Sequence, residues 1–399
     1  YLFSGSALYD ITPIRETAAL TNPFTTNGTT TVTVTDADHG AIEGDFVTFD
    51  SFSAIDGLDM NNEFEVTTRV DANTYKVTHT SAASGSTSGG GGSGNANYQI
   101  NIGETASTYG YGWGTDTWSA GAWDEPSTSS DVTVFARSWS LDNFGEDLIA
   151  TVLNSSTYIK DLSGAIDARA TALSNAPTAS RFSLVSTDTR HLMIFGTETT
   201  IGTPASQDDL LFRFSDREDA TEYTPVATNE AGSLRISDGS RIVGAVKSSG
   251  QILVWTDTSL HGVQFVGTPF TFGLRQLGAN CGLIAQHAAV EINGRSYWMS
   301  DNAFYMYDGV VKKMPCSVQD YVFDDINVIP KQHINAGLNN LFGEVIWFYP
   351  NSGSGVVNRM VAYNYLDSSP ERPVWTTGTL ARTAWEDSAI FGKPHATEY

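Results

Sequence analysis

Apolar residues along this chain recur at every second position and almost nowhere at helical spacing, which leaves β-sheet as its dominant regular structure. Runs rich in Val, Ile, Thr, Tyr, Phe and Trp alternate with Gly, Asn, Asp and Ser. They are VTVFARSWS (132–140), FSLVST and HLMIFGT (182–197), RIVGAVKSSGQILVWTD (241–257), AAVEINGRSYWMSDNAFYMYDG (288–309), EVIWFYP (344–350) and RMVAYNY (359–365). Asn293-Gly294 and Ser249-Gly250 sit where hairpin turns need positive φ. The one stretch with the spacing of a few helical turns is LSGAIDARATAL, 162–173, and it reads equally as a loop.

Several units share one plan: a strand, a Gly or Asn turn, an aromatic strand, a polar turn and a further strand. GQILVWTDTSLHGVQFVG and GRSYWMSDNAFYMYDG are two examples. The repeat interval of about 40 to 50 residues is that of four-stranded propeller blades. The expected fold is therefore all-β: a β-propeller of roughly six to seven blades with one small inserted β-barrel. Residues 1–22 would be the first propeller strands and 23–98 the inserted barrel, ending in the Gly/Ser-rich tract SGSTSGGGGSGN. Residues 99–399 would be the rest of the propeller.

At 40% apolar residues, the chain can bury a sizeable core. Its 45 acidic against 22 basic residues give a formal charge of −23, which disfavours capture of nucleic acid through the overall field. No apolar run approaches the roughly 20 residues that cross a bilayer, so no membrane insertion is expected. Cys281 and Cys316 are too few for a disulfide framework and lack metal-site spacing; a single bridge between them is left open. The first residue, Tyr1, and the last, Tyr399, are read as cut ends of a longer protein.

Three constellations invite chemistry. Asp257, Ser259 and His261 are the side-chain types of a serine hydrolase. Yet alternate residues of a strand lie about 6.6 to 7 Å apart and no G-x-S-x-G elbow surrounds Ser259, so a turn between strands is expected. Asp216, Glu218 and Asp219 in SDREDATEY could hold calcium or act as a glycosidase pair, but they lack the D-x-D-x-D-G register; a solvated loop offset by Arg213 and Arg217 is expected. DADHG, 36–40, reads as a turn in which His39-Gly40 closes a strand. SLDNFGED, 140–147, misses the S-x-D-x-G-x-x-W pattern of sialidase propellers. No phosphate loop, dinucleotide fingerprint, H-E-x-x-H or C-x-x-C occurs, so no catalytic residue, cofactor or metal is expected. The nine Trp, sixteen Tyr and twenty Phe are expected mainly in packing. Trp255, Trp298, Asp257, Asp301 and Asp308 are assigned to blade cores and turns.

RSWSLDNFGEDLIAT (137–151), FRFSDREDATEYTPVATNEAGSLRISDGSRIVGAV (212–246) and residues 252–309, with WFYPNSGSGVVNRMVAYNY and VWTTGTLARTAW, resemble a family of tailed-bacteriophage proteins. These are the tail nozzle or tail hub proteins, often called DNA stabilization proteins. TVTVTDADHG and GDFVTF resemble the small β domain found in phage tail proteins. The resemblance implies a non-enzymatic virion subunit, made in the host cytoplasm and assembled as a homo-oligomeric ring, a hexamer, on the phage tail. It also implies adaptor, portal and tail-fibre partners, and retention and ejection of DNA that passes without sequence-specific binding. The competing expectation is a carbohydrate-binding or glycan-degrading tail propeller that recognises the host.

Overall fold

The computed structural model describes residues 2–3, 7–103, 137–387 and 393–398. The sequence runs YGYGWG (109–114) and most of VTVFARSWS lie outside the described residues. The chain divides into two compact units, residues 1–103 with 158–172 and residues 104–157 with 173–399.

The first unit is built on one seven-stranded antiparallel sheet. Its order is Ile14–Thr21, Ser93–Gln99, Phe46–Asp50, Glu63–Arg69, Thr74–Thr78, Thr31–Thr35 and Phe24–Thr25. Its two end strands are joined through Asn22 and Pro23 alone, so the sheet has to curl back on itself as a small barrel does. Alternation fills the inside: Val32, Val34, Val47, Phe49, Phe64, Val66, Tyr75 and Val77 are buried, their neighbours less so. Two boundaries differ from expectation. Ile14–Thr21, assigned above to the propeller, pairs with Ser93–Gln99, and the end of the Gly/Ser tract is itself strand. Gly94 is required there because a Cβ would overlap the Asp50 carbonyl and the Phe52 ring. Such pairing over more than seventy residues leaves no local trace in the sequence.

Five four-stranded antiparallel sheets follow, each strand bonded to the next in the chain, which makes this region a β-propeller. Blade 1 comprises Trp139–Phe144, Asp147–Val152, Thr157–Lys160 and Thr171–Ala172; blade 2 comprises Phe182–Val185, Leu192–Phe195, Leu211–Phe214 and Gly232–Arg235. Blade 3 comprises Ile242–Ser248, Gln251–Thr256, Ser259–Gly267 and Thr271–Ala279; blade 4 comprises Ala289–Ile292, Arg295–Met299, Phe304–Tyr307 and Val311–Lys313. Blade 5 comprises Asn335–Asn339, Glu344–Tyr349, Arg359–Asn364 and Trp375–Gly378. A hairpin of Ala384–Glu386 with His395–Thr397 comes next, packed on the first strand of blade 5 as successive first strands pack on one another.

The described residues thus hold five blades where six or seven were expected. Long connections such as 216–231 and 314–334 carry no ladder. Residues 162–173 form no α-helix: Asp161 accepts the Ser163 N–H in a side-chain turn, and the segment ends in the strand Thr171–Ala172. Among the described residues the α-helix is Gln319–Phe323. Both expected hairpin turns form, with Asn293, Gly294 and Gly250 at positive φ.

Blades 3 to 5 share one core whose largest members are Trp255, Trp298 and Trp347, each on the second strand of its blade and fully buried. Trp298 Nε1–H donates to the Cys281 carbonyl at 2.9 Å and Trp347 Nε1–H to the Ala288 carbonyl at 3.0 Å. Both indoles therefore bond to the connection 280–288 that links blade 3 to blade 4. The Trp255 indole N–H has no partner, although its ring meets that of Trp298 edge-on at 5.3 Å.

Candidate functional site

Ser259 and His261 do meet. Ser259 Oγ lies 2.9 Å from His261 Nε2 and 2.8 Å from Thr256 Oγ1. The backbone spacing of alternate residues had argued against this, but both side chains leave one face of Ser259–Gly267 and lean together. What is missing is access and the third group. Both residues are buried, and burial pushes the His261 pKa down against the opposing charge of Asp238. The Asp257 carboxylate turns to Ser240, accepting its N–H at 2.8 Å and its hydroxyl. Burial opposes ionisation of Asp257, yet the Ser240 hydrogen bonds and the Arg241 charge hold its pKa below the usual value. Thr256 Oγ1 also receives the Thr258 and Ser259 N–H groups at 3.2 and 2.9 Å. The cluster is a capped, buried turn and has no opening for a substrate.

The acidic loop is committed to its own backbone. Asp216 Oδ1 accepts the N–H groups of Arg217 and Glu230, both at 2.8 Å, and Asp219 Oδ1 accepts the N–H and hydroxyl of Thr221. Glu222 caps Thr224. Arg217 pairs with Glu230 at 3.1 Å, but Arg213, expected to offset these carboxylates, instead donates to the Glu198 and Thr199 carbonyls. Among the described residues no group of three or more His, Cys, Asp or Glu side chains is arranged to hold a metal. His39 accepts the Ala41 N–H through Nδ1 and reaches the Asp71 carbonyl through Nε2, a strand-closing turn. Asp301 and Asp308 are surface partners of Lys331 and Lys312 at 2.9 and 2.7 Å. Cys281 and Cys316 are both free thiols, each pushed up by burial to about 11.

The second unit holds a cleft of about 560 Å³. Its lining includes Trp139 and Leu141 of blade 1, His287 before blade 4, Asn335 of blade 5, and Trp385 and Glu386 of the following hairpin. Its base is knitted by three hydrogen bonds: His287 Nε2 to the Trp139 carbonyl at 3.0 Å, Ser138 Oγ to Gln286 Oε1 at 3.1 Å, and Ala336 N–H to the His287 carbonyl at 2.7 Å. His287 keeps solvent-exposed surface, while the protein packed around it depresses its pKa against the hydrogen bond to the Trp139 carbonyl. Sequence reasoning missed this cleft, since its walls come from four separated segments. The parity of Trp139 and Leu141 along one strand was the one available hint.

No family model matches the sequence, and no curated protein does. Among solved structures, the chain is 12% identical to an endosialidase of phage phi92, covering 96% of this chain and 57% of that one at a TM-score of 0.24. BamB from Moraxella catarrhalis is 10% identical, with 68% and 81% covered and a TM-score of 0.33. The CNH domain of AfRom2 is 9% identical, with 65% and 77% covered and a TM-score of 0.38. The propeller assignment rests on the strand pairing itself.

Proposed function

We propose that this chain is a non-enzymatic structural subunit of a tailed-phage tail, assembling with copies of itself into a ring of the nozzle or hub type. The observation that carries the reading is where the propeller exposes its apolar side chains. In a four-stranded antiparallel blade, the first and third turns share one end. Blades 4 and 5 are entered in parallel, as the His287–Asn335 bridge records, so these ends lie on a common face. That face bears Val226 in blade 2, Phe270 in blade 3, Val310 in blade 4, and Leu341, Phe342 and Leu366 in blade 5. Phe270 is 75% exposed, Leu341 84% and Leu366 68%, large apolar side chains held out in solvent. A smaller set, Val328, Ile329 and Val356, marks the connections at the other end. Contact surfaces at both ends suit a subunit stacked between tail components, with self-association in the ring.

The net charge of −23 is compatible with the same reading, since an acidic conduit wall would repel DNA and let it slide. The buried Ser259–His261 pair and the capped carboxylates of the acidic loop fit a role without bond chemistry. The test is mass photometry and electron microscopy of the protein and of a Leu341→Asp/Phe342→Asp variant. The reading expects a closed ring from the parent and monomers or fragments of rings from the variant. A monomeric parent at micromolar concentration would refute it.

A further inference from the structure

We propose that the cleft between blade 1 and the hairpin Ala384–Glu386 is a binding site for a neutral saccharide. This goes beyond the ring reading and stands on different residues.

The walls are set by strand parity. On Trp139–Phe144, Ser140 and Asp142 turn towards blade 2, where their oxygens accept the N–H groups of Ser183 and Val185 at 3.0 and 2.7 Å. Trp139 and Leu141 therefore face the other way, into the cleft, and Leu141 is 64% exposed although it lies on a first strand. Trp385 also lines the cleft, half-buried, its Nε1–H fixed by the Leu338 carbonyl at 2.7 Å and its ring laid over Gly337, where any Cβ would collide with it. Two indoles thus border one space, that of Trp385 fixed through its Nε1–H, and indole ring surface suits an apolar sugar face.

Between the indoles the polar groups are mixed in sign and kind. Gln332 brings a donor, and Glu386 brings an acceptor carboxylate. His287, neutral because burial lowers its pKa, donates through Nε2 to the Trp139 carbonyl, which leaves Nδ1 as an acceptor. Asn335 is buried; its amide nitrogen donates to the Arg382 and His333 carbonyls while its Oδ1 has no partner. A mixed set of donors and acceptors lining a space with aromatic rings is what ring hydroxyls require. A phosphate-bearing ligand is disfavoured by Glu386 and by the −23 field, and a plain hydrocarbon would strand these polar groups. The volume of about 560 Å³ lies within the usual range of small-ligand sites.

The experiment is a printed array of bacterial and mammalian oligosaccharides probed with the whole chain, followed by titration of the strongest neutral binder using tryptophan fluorescence. Trp139→Ala and Glu386→Ala are titrated in parallel, the second because its side chain is exposed and its loss spares the fold. The expected result is selective binding of a neutral oligosaccharide, weakened at least tenfold in both variants, with far-UV spectra unchanged. No array binding, binding of acidic ligands alone, or unchanged affinity in the Glu386→Ala protein would overturn the proposal. A ring that binds no sugar refutes only this site, and a sugar-binding monomer refutes only the ring.

Discussion

Trp255 and Trp298 occupy equivalent places in adjacent blades, yet one indole N–H is bonded and the other is not, which gives a test with an internal control. Truncation of Trp255 to Ala removes a fully buried side chain from the core of blades 3 to 5, a loss of about 3–5 kcal/mol. Replacement by Phe separates packing from hydrogen bonding. Trp255→Phe shrinks the ring but also deletes a buried donor without a partner, whose presence costs about 1–3 kcal/mol, so the two effects largely offset. Trp298→Phe shrinks the ring equally and breaks the 2.9 Å bond to the Cys281 carbonyl, leaving that buried acceptor bare, a further penalty of about 1–3 kcal/mol. The Phe variant at 298 should therefore be the less stable of the two by at least about 1.5 kcal/mol. Urea unfolding followed by far-UV circular dichroism, with the slope m checked for constancy, measures both. Equal losses in the two Phe variants, or a Trp255→Ala protein with an unchanged midpoint, would refute the reasoning.

Other expectations follow from the same contacts. Ser259→Ala should leave His261 Nε2 buried and unpartnered and cost about 1–3 kcal/mol in urea unfolding; an unchanged midpoint would show that the bond contributes nothing. Gly282→Ala should be among the most damaging single changes, because a Cβ there would overlap the Asp257 carbonyl; soluble, fully stable protein would contradict this. Burial holds His261, His287 and His333 below the ordinary histidine pKa of about 6.5. The unfolded chain takes up protons that the folded chain refuses, so this stability is complete above about pH 6.5 and declines as pH falls towards the folded values. Urea midpoints should be lower at pH 5 than at pH 7.5, and a flat profile would count against buried neutral histidines.

What was legible in the sequence was local. Asn293-Gly294 announces its hairpin because a two-residue turn of that kind needs positive φ at both positions, and the alternation TVTVT announces a half-buried strand. The aromatic repeats gave the propeller, since each blade is a contiguous segment. What was hidden depends on residues far apart or on side-chain direction. Ile14–Thr21 finds its partner near residue 95, which no local pattern encodes. The described residues hold five blades where six or seven were expected, because the interval between aromatic repeats does not say how many residues each connection takes. Backbone spacing alone misjudged Ser259 and His261, whose side chains close a distance their Cα atoms keep. The cleft needs residues 139, 287, 335 and 385 together, and these come from four segments far apart in the chain.

The central claim is that this propeller works as one member of a ring through which a phage genome leaves. Electron microscopy of the intact particle, with this chain labelled by a bound antibody fragment, tests it most directly. The account predicts label arranged symmetrically around the tail axis, coaxial with the genome exit, with an open channel at its centre. Label on peripheral appendages, away from that axis, would contradict it.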